Sequence, residues 1–442
     1  MAETRSAMLR LSSLVGERTL FENESFRRLW LAKLLSHTPT NAIVYTMLIL
    51  VVQATGKSFF SSLFVVAYIA PTALLGTVSG VLVDRMPKGL VLAATNAVRA
   101  GLCLLLALST GNLLMIYVIA VAFAVGSQLS GPAEGASIPA IVSREDFTAA
   151  NSLNNLQSLI SQIVGLMILP AVLLKTVGPE ALAVVCACMY GIAAFNFLLI
   201  DGLGGAVSQT PISIRETRER FAEAWHHLTM DSVAYISVVI LVLANTTGLV
   251  VTTLLPRFST HVLGVSAENI IFVAAPAMLG IWLALRLVRR VSAHVAPRYA
   301  IGGSFAILLA GVAMLAFVAP LGDALQSTNV LGLFDPGPFG ESAARIMITS
   351  VIGAGLAFAF TFVNILGRSI INERMPNEIQ GRVIAGQTVL TNLASIPPIL
   401  LSGILADVVG VAPVFFLITI VCGVLALYYA ARNLAMPART AY

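Results

Sequence analysis

Long runs of apolar residues restrict this chain more than any other feature of its sequence. Segments such as 234–255 and 299–320 contain no charged residue, and a helix of about 20 apolar residues is long enough to cross the hydrocarbon core of a bilayer. Only 11% of the 442 residues are charged and 58% are hydrophobic, whereas a soluble domain carries about 25% charge. These figures exclude a soluble enzyme, a nucleic-acid-binding module, a disordered chain and a single-span receptor. The runs are also too continuous for the short alternating strands of a membrane barrel.

The apolar runs predict an all-α membrane protein with twelve transmembrane helices. The predicted spans are 29–53, 60–82, 89–109, 112–137, 151–174, 180–200, 234–255, 266–288, 299–320, 342–366, 382–406 and 411–431. One long polar stretch separates the first six spans from the last six, and its centre, 214–225, has the pattern of an amphipathic surface helix. The expected organisation is a cytoplasmic N-terminal segment (1–28), an N-terminal six-helix bundle (29–200), a cytoplasmic central loop (201–233), a C-terminal six-helix bundle (234–431) and a cytoplasmic tail (432–442).

Positive charges are unevenly distributed among the predicted loops. When the N-terminus is placed in the cytoplasm, nearly all of the 26 Lys and Arg residues fall in cytoplasmic segments, and the outer loops hold Lys57, Lys175, Arg257 and Arg345. Such a bias predicts orientation in the membrane. We therefore expect a multi-pass protein of the inner cell membrane with both termini in the cytoplasm. The net charge of +5 then reflects this bias and does not indicate nucleic acid.

The loop after the second predicted span carries a recognisable motif. It reads Gly80-Val-Leu-Val-Asp84-Arg85-Met-Pro-Lys88-Gly89, which resembles the loop signature of the major facilitator superfamily, with Pro87 in place of the usual Gly. A small residue such as Gly80 lets two helices approach closely, and an Asp at the membrane surface can accept hydrogen bonds from a helix N-terminus. The resemblance implies the major facilitator fold and a conformational latch formed by Gly80, Asp84, Arg85 and Lys88. A weak repeat between 139–165 and 372–398 agrees with two parallel six-helix halves.

Further segments are similar to the bacterial exporter branch of that superfamily. They are 26–32, 131–133, 138–146 with 150–153, and 402–407. That branch holds macrolide, siderophore and multidrug effluxers and also lysophospholipid transporters. The resemblance covers most of the chain, but its motifs belong to the scaffold and do not specify a substrate.

Two departures from the family weaken a proton-antiport function. Relatives often carry a Gly-Asp pair in the first helix, where this chain reads His37-Thr-Pro-Thr-Asn41 and has no carboxylate. Antiporters often carry Gly-Pro and Gly-Gly in the fifth helix, where 161–170 keeps Gly165 and a displaced Pro170.

Ionisable residues inside predicted spans are few and are candidates for function, because they are costly to bury in a membrane. Glu134 and His37 are candidates for proton carriers. Glu134 could instead form a static ion pair with Arg99 or with a loop arginine, and His37 could be a hydrogen-bonded packing residue. Of these alternatives, the structural pair of Glu134 with Arg99 is slightly favoured. Asp407, at a helix end, is expected to lie in a surface turn.

Uncharged polar residues in the spans are candidates for lining a central cavity or for bonding helices together. They are Asn41, Tyr45, Gln157, Gln162, Asn245, Thr246, Asn364, Gln387 and Asn392. The chain has no Gly-x-x-x-x-Gly-Lys-Ser/Thr loop and no metal-ligand spacing. No catalytic residue, cofactor or metal is therefore expected. The four cysteines lie in apolar runs and are interpreted as small hydrophobic residues.

The leading hypothesis is a secondary transporter that exports a lipophilic or amphipathic organic molecule by alternating access. The sparse charge favours such a substrate over a sugar or a multiply charged anion. One alternative is a translocator of lysophospholipid or other lipid, and another, of a different class, is a membrane scaffold or sensor that transports nothing. The expected partners are a small-molecule or lipid substrate, membrane lipid and protons, with no nucleic acid, and the chain is expected to be a monomer.

Overall fold

In the computed structural model, residues 18–83, 85–204, 222–223, 225–265, 275–327 and 343–434 are described. Every regular element within these ranges is a helix. The all-helical fold predicted from the apolar runs is thus confirmed. Asp84 and most of the predicted amphipathic helix 214–225 lie outside the described residues.

A short 3-10 helix, Arg18–Glu22, precedes the α-helices. The α-helices are α1 (Glu24–Thr55), α2 (Ser58–Val83), α3 (Lys88–Leu108), α4 (Leu113–Ile141), α5 (Phe147–Gln162), α6 (Leu169–Thr176), α7 (Gly178–Leu198), α8 (Ser232–His261), α9 (Ala277–His294), α10 (Pro297–Leu315), α11 (Val318–Ser327), α12 (Ala343–Arg374), α13 (Asn377–Val409) and α14 (Val411–Leu434). Local sequence explains several ends. Asn112 accepts a hydrogen bond from the Met115 N–H at the start of α4, and Asp231 caps α8 in the same way.

Ten helical segments in the described ranges are long and apolar enough to cross a membrane. Two shorter apolar helices, Ser58–Thr72 and Ala277–Val288, fall where the second and eighth spans are predicted. Many large apolar side chains remain exposed on these helices, among them Val351 at 68% and Leu427 at 72%. Exposed apolar surface on this scale is suited to contact with lipid tails.

The described residues within Met1–Leu50 and Leu74–Pro211 form one compact unit, and those within Val51–Ala73 and Ile212–Tyr442 form another. In the first unit α3 packs along α7 and α4, and buried aromatic residues such as Phe26, Trp30 and Phe197 belong to its core. In the second unit α12 packs against α8, α9 and α10, and α8 also packs on α13. The division falls inside α1 and α2.

A π-helical turn, Ile163–Ile168, joins α5 to α6. Gly165, within this turn, lies directly against α1. A Cβ atom added to Gly165 would collide with the carbonyl oxygen of Thr38 and would lie 2.8 Å from the Cβ of Asn41. The glycine is therefore required by packing, and it positions this turn beside the part of α1 that carries His37.

Candidate functional site

A buried charged cluster lies between α1 and α4 in the first unit. His37 Nε2 and Glu134 Oε2 are 2.7 Å apart, and Lys33 Nζ lies 3.9 Å from the same carboxylate oxygen. Glu134 is 9% exposed and Lys33 is 5% exposed. Lys33 and His37 are four residues apart on α1, so both face α4 from successive turns.

Hydrogen bonds to α5 hold α1 in this position. The Trp30 indole N–H donates to the Leu153 carbonyl oxygen at 2.9 Å, and the Lys33 ammonium donates to Asn154 Oδ1. The sequence does not single out Lys33, because its position near the start of the first span groups it with the cytoplasmic charges. Its spacing of one helical turn from His37 is the signal that could have identified it.

Arg99, on α3, contacts α4 at a different level. Its Nη2 donates to Ser127 Oγ at 2.9 Å and to Ser130 Oγ at 3.1 Å, and its side chain lies over the Tyr190 ring. The expected ion pair of Arg99 with Glu134 is not observed. Ser130 and Ser127 precede Glu134 by about one and two helical turns on α4. His37 forms the close contact with the carboxylate instead.

His37, Glu134 and Arg99 line a cavity of about 300 Å³ in the first unit. Asn41 and Gln162, two of the polar residues selected from sequence, also line it. The other lining residues are Thr40, Ser127, Ser130, Gly131 and Ser158. Most of the residues that line the cavity are therefore polar, and they include both basic and acidic side chains.

A larger and mostly apolar cavity of about 610 Å³ lies in the second unit. Its polar lining includes Asn245, Gln387 and Asn392, which were predicted to line a cavity, and Arg368. The apolar lining is supplied by α8, α10 and α12, and includes Leu249, Leu308, Val312, Ala357 and Phe360.

The remaining polar candidates bond helices together or are buried. Asn245 Nδ2 donates to Asn364 Oδ1 at 3.3 Å, and the hydroxyl groups of Thr246 and Ser395 are 2.8 Å apart. Gln157 is fully buried and donates to Ser161 Oγ at 2.8 Å. Tyr45 is half-buried on α1.

The loop signature is only partly described, because Asp84 lies outside the description. Arg85 is exposed, and Lys88 begins α3. Gly80 does not serve a close helix approach in this conformation: no atom of the described residues lies within 4 Å of a Cβ added there. Among the described residues, no neighbouring helix therefore approaches Gly80 closely, and its part in a latch stays a prediction.

Asp407 forms a second charged cluster, within the second unit, and does not lie in a surface turn. Its carboxylate accepts hydrogen bonds from the backbone N–H groups of Ser58 at 2.8 Å and Phe59 at 3.0 Å and also contacts Arg257 Nη1. The Asp407 side chain therefore caps α2 from the end of α13. Gly403 permits this approach, because a Cβ there would collide with Ser62 Oγ.

The described part of the chain contains no group of three or more His, Cys, Asp or Glu side chains placed to hold a metal ion.

Comparison with known proteins agrees with this architecture. A sequence model of the Major Facilitator Superfamily matches residues 29–395. An uncharacterised MFS-type transporter of Bacillus subtilis (strain 168), YkuC, is 27% identical over 165 residues, and the match spans 36% of this chain and 38% of that protein.

Solved structures of transporters share the fold at low sequence identity. The nucleoside transporter NupG is similar with a TM-score of 0.67 and 14% identity, covering 93% of this chain and 100% of NupG. The POT family transporter PepTSo gives 0.68 and 12%, covering 94% of this chain and 99% of that one. A bacterial homologue of the human lysosomal transporter Spinster gives 0.64 and 12%, covering 92% and 97%. With its match over 29–395, the chain belongs to the Major Facilitator Superfamily, and it is a multi-pass membrane protein and secondary transporter of small molecules, not an enzyme.

Proposed function

We propose that this transporter exports an amphipathic organic small molecule by alternating access between its two predicted six-helix halves, 29–200 and 234–431. In this proposal it resides in the cell membrane with both termini in the cytoplasm. The resemblance of its scaffold motifs to the bacterial exporter branch supports the outward direction.

The observation that carries the proposal is the apolar cavity of the second unit. Its volume of about 610 Å³ lies within the range of about 300–1,000 Å³ that is typical of small-molecule sites. Arg368 is the charged residue in its lining, where Asn245, Gln387 and Asn392 supply amides. A surface with much apolar area and a few polar groups suits an amphipathic ligand better than a sugar, which requires dense hydrogen bonding.

Transport of the substrate is tested with purified protein in lipid vesicles loaded with an amphipathic dye. Ala357→Trp places a large side chain in the cavity and should abolish most transport while the protein still folds. Val351→Trp, on the same helix but 68% exposed, is the matched control and should transport normally. Equal transport by both variants would remove the cavity from the mechanism, and no transport by any form would favour the scaffold or sensor alternative. Transport confined to lysophospholipid would favour the lipid translocator.

The contact between His37 and Glu134 supports coupling to protons. A carboxylate and an imidazole at 2.7 Å can exchange a proton directly. The charged groups that face the pair are Lys33, 3.9 Å from the carboxylate, and Arg99, across the same cavity. Occupation of the pair by one or two protons would therefore change the charge of the cavity.

Coupling is measured as the response of transport to an imposed pH gradient. Glu134→Gln and His37→Ala should each fold and transport without that response. A double variant Glu134→Gln/His37→Ala that still responds to the gradient as wild type does would show that neither residue carries the proton.

A further inference from the structure

Arg99 is a buried cation, and not all of its N–H donors have a hydrogen-bond acceptor. The residue is 3% exposed, and its Nη2 donates to the hydroxyl groups of Ser127 and Ser130. Its Nε is buried without a hydrogen-bond partner. Among the described residues no carboxylate lies within 4.0 Å of the guanidinium group. A guanidinium group can offer five donors in a planar fork that matches an oxyanion.

The two serines do not depend on Arg99 for their own hydrogen bonds. Ser127 Oγ also donates to the Phe123 carbonyl oxygen at 3.0 Å, and Ser130 Oγ lies 3.4 Å from the Ser127 carbonyl oxygen. Both serine hydroxyl groups therefore have hydrogen-bond acceptors without Arg99. The burial of the arginine is not explained by the needs of these two side chains.

The charges around the cavity do not balance. Lys33 and Arg99 supply two positive charges, whereas Glu134 supplies one negative charge and is already in contact with His37 and near Lys33. A buried charge without a counter-charge is strongly unfavourable, and ionisable residues inside a membrane protein usually face a functional cavity. When the His37 imidazole is neutral and Glu134 is ionised, one further negative charge would neutralise the cluster.

The cavity offers space for that charge next to polar groups. Its volume is about 300 Å³, and Arg99 lies in its wall with Asn41, Ser158 and Gln162. Hydroxyl and amide groups can donate further hydrogen bonds to an oxyanion. The volume accommodates a compact acidic group with the atoms next to it.

We propose that this cavity of the first unit binds the oxyanion of an acidic transported molecule, a carboxylate or a phosphate, with Arg99 as its counter-charge. The inference rests on the proposed export of an amphipathic molecule and specifies that molecule as acidic. The acid can belong to a free organic compound or to the head group of a lysophospholipid, since both present the same chemistry to the guanidinium group.

A purely structural Arg99 would behave differently on substitution. An isolated buried charge is costly, so replacing a cation that forms no ion pair by an apolar side chain of similar length should be neutral or stabilising, whereas breaking a structural ion pair is strongly destabilising. The melting temperature of Arg99→Met without ligand therefore separates the two roles without knowledge of the substrate.

The experiment measures the melting temperature of purified protein in vesicles of phosphatidylcholine. Two matched pairs of probes are added: 1-naphthoate with 1-naphthamide, and lysophosphatidic acid with monoacylglycerol of the same chain. The variants are Arg99→Met, Arg99→Lys and, as a control, Arg345→Gln, which removes an arginine bonded to Asp323 and absent from the lining of this cavity.

We expect Arg99→Met to melt at the wild-type temperature or above it. We expect at least one acidic probe to stabilise wild type and Arg345→Gln more than its uncharged partner does, with the apparent affinity about a hundredfold weaker in Arg99→Met and less weakened in Arg99→Lys. Naphthoate alone would indicate a free acid, and lysophosphatidic acid alone would indicate a lipid. A fall of several degrees in Arg99→Met without ligand, or the absence of any preference for the acidic probes in wild type, would overturn the proposal.

Failure of this inference is distinguishable from failure of the proposed function. Export of an uncharged dye without any effect of acidic probes would leave the exporter proposal intact and remove the anion site. Stabilisation by acids that depends on Arg99, without transport of any amphipathic compound, would keep the anion site and remove the exporter proposal.

Discussion

Removal of the Asp407 carboxylate should destabilise the protein far more than removal of an ordinary surface acid. Asp407→Ala leaves the N–H groups of Ser58 and Phe59 without their acceptor and leaves Arg257 without its counter-charge. Each buried donor that loses its partner costs about 1–3 kcal/mol, and a charged donor costs more.

The expected magnitude follows from the partial exposure of the cluster. The side chains of Arg257 and Asp407 retain 18% and 19% of their exposure, so water can reach part of what the substitution leaves unpaired. We therefore take the low end of each contribution and expect a loss of about 3 kcal/mol for Asp407→Ala. Asp407→Asn keeps an oxygen that can cap α2 and should lose about 1–2 kcal/mol.

The assay is thermal unfolding of the purified protein, with Asp323→Ala as the matched control. Asp323 also pairs with an arginine, at 2.7 Å, but its side chain is 57% exposed, and an exposed pair contributes about 0–1 kcal/mol. At about 2–4 °C per kcal/mol, Asp407→Ala should lower the melting temperature by roughly 6–12 °C. An effect no larger than that of Asp323→Ala would refute the assignment of Asp407 as a cap and counter-charge.

Three further predictions concern packing, cycling and topology. Gly165→Ala should lower the melting temperature by several degrees because its methyl group collides with α1, whereas Gly191→Ala, with no described atom within 4 Å, should not; equal melting would contradict the packing. Asp84→Asn should leave the protein folded in the membrane but cut vesicle transport severely if the loop signature acts as a latch, and normal transport would refute that role. A cysteine at Ser213 should react with an impermeant thiol reagent from the cytoplasmic side alone and a cysteine at Lys57 from the outside alone; the reverse pattern would overturn the predicted orientation.

The positions of the helices were predictable from sequence because bilayer thickness fixes the length of apolar runs. Their ends were less predictable. The apolar run predicts a first span at 29–53, whereas α1 covers Glu24–Thr55, and α12 continues to Arg374, eight residues beyond the predicted end. An apolar run ends where the chain leaves the lipid. Backbone hydrogen bonding continues into the polar interface, so the helices extend past the apolar run.

The members of the charged clusters were partly predictable, but their pairing was not. Glu134 and His37 were selected because ionisable residues are rare within spans, yet they are 97 positions apart, and which partner each meets depends on how α1 packs on α4. Asp407 was expected in a surface turn because its partner Arg257 lies 150 positions away. Long-range contacts of this kind leave no local pattern in a single sequence.

The π-helical turn at Ile163–Ile168 has a consequence for the evolution of the chain. A π turn holds one residue more than an α-helical turn, so every side chain after it is rotated by about 100° relative to an uninterrupted helix. Loss of one residue in this segment would restore a continuous helix but would swing Pro170 and the residues beyond it onto different neighbours. Homologues that differ by a single insertion or deletion here should therefore present another face of the fifth span to α1, and an alignment across this position has to admit a gap inside a transmembrane helix.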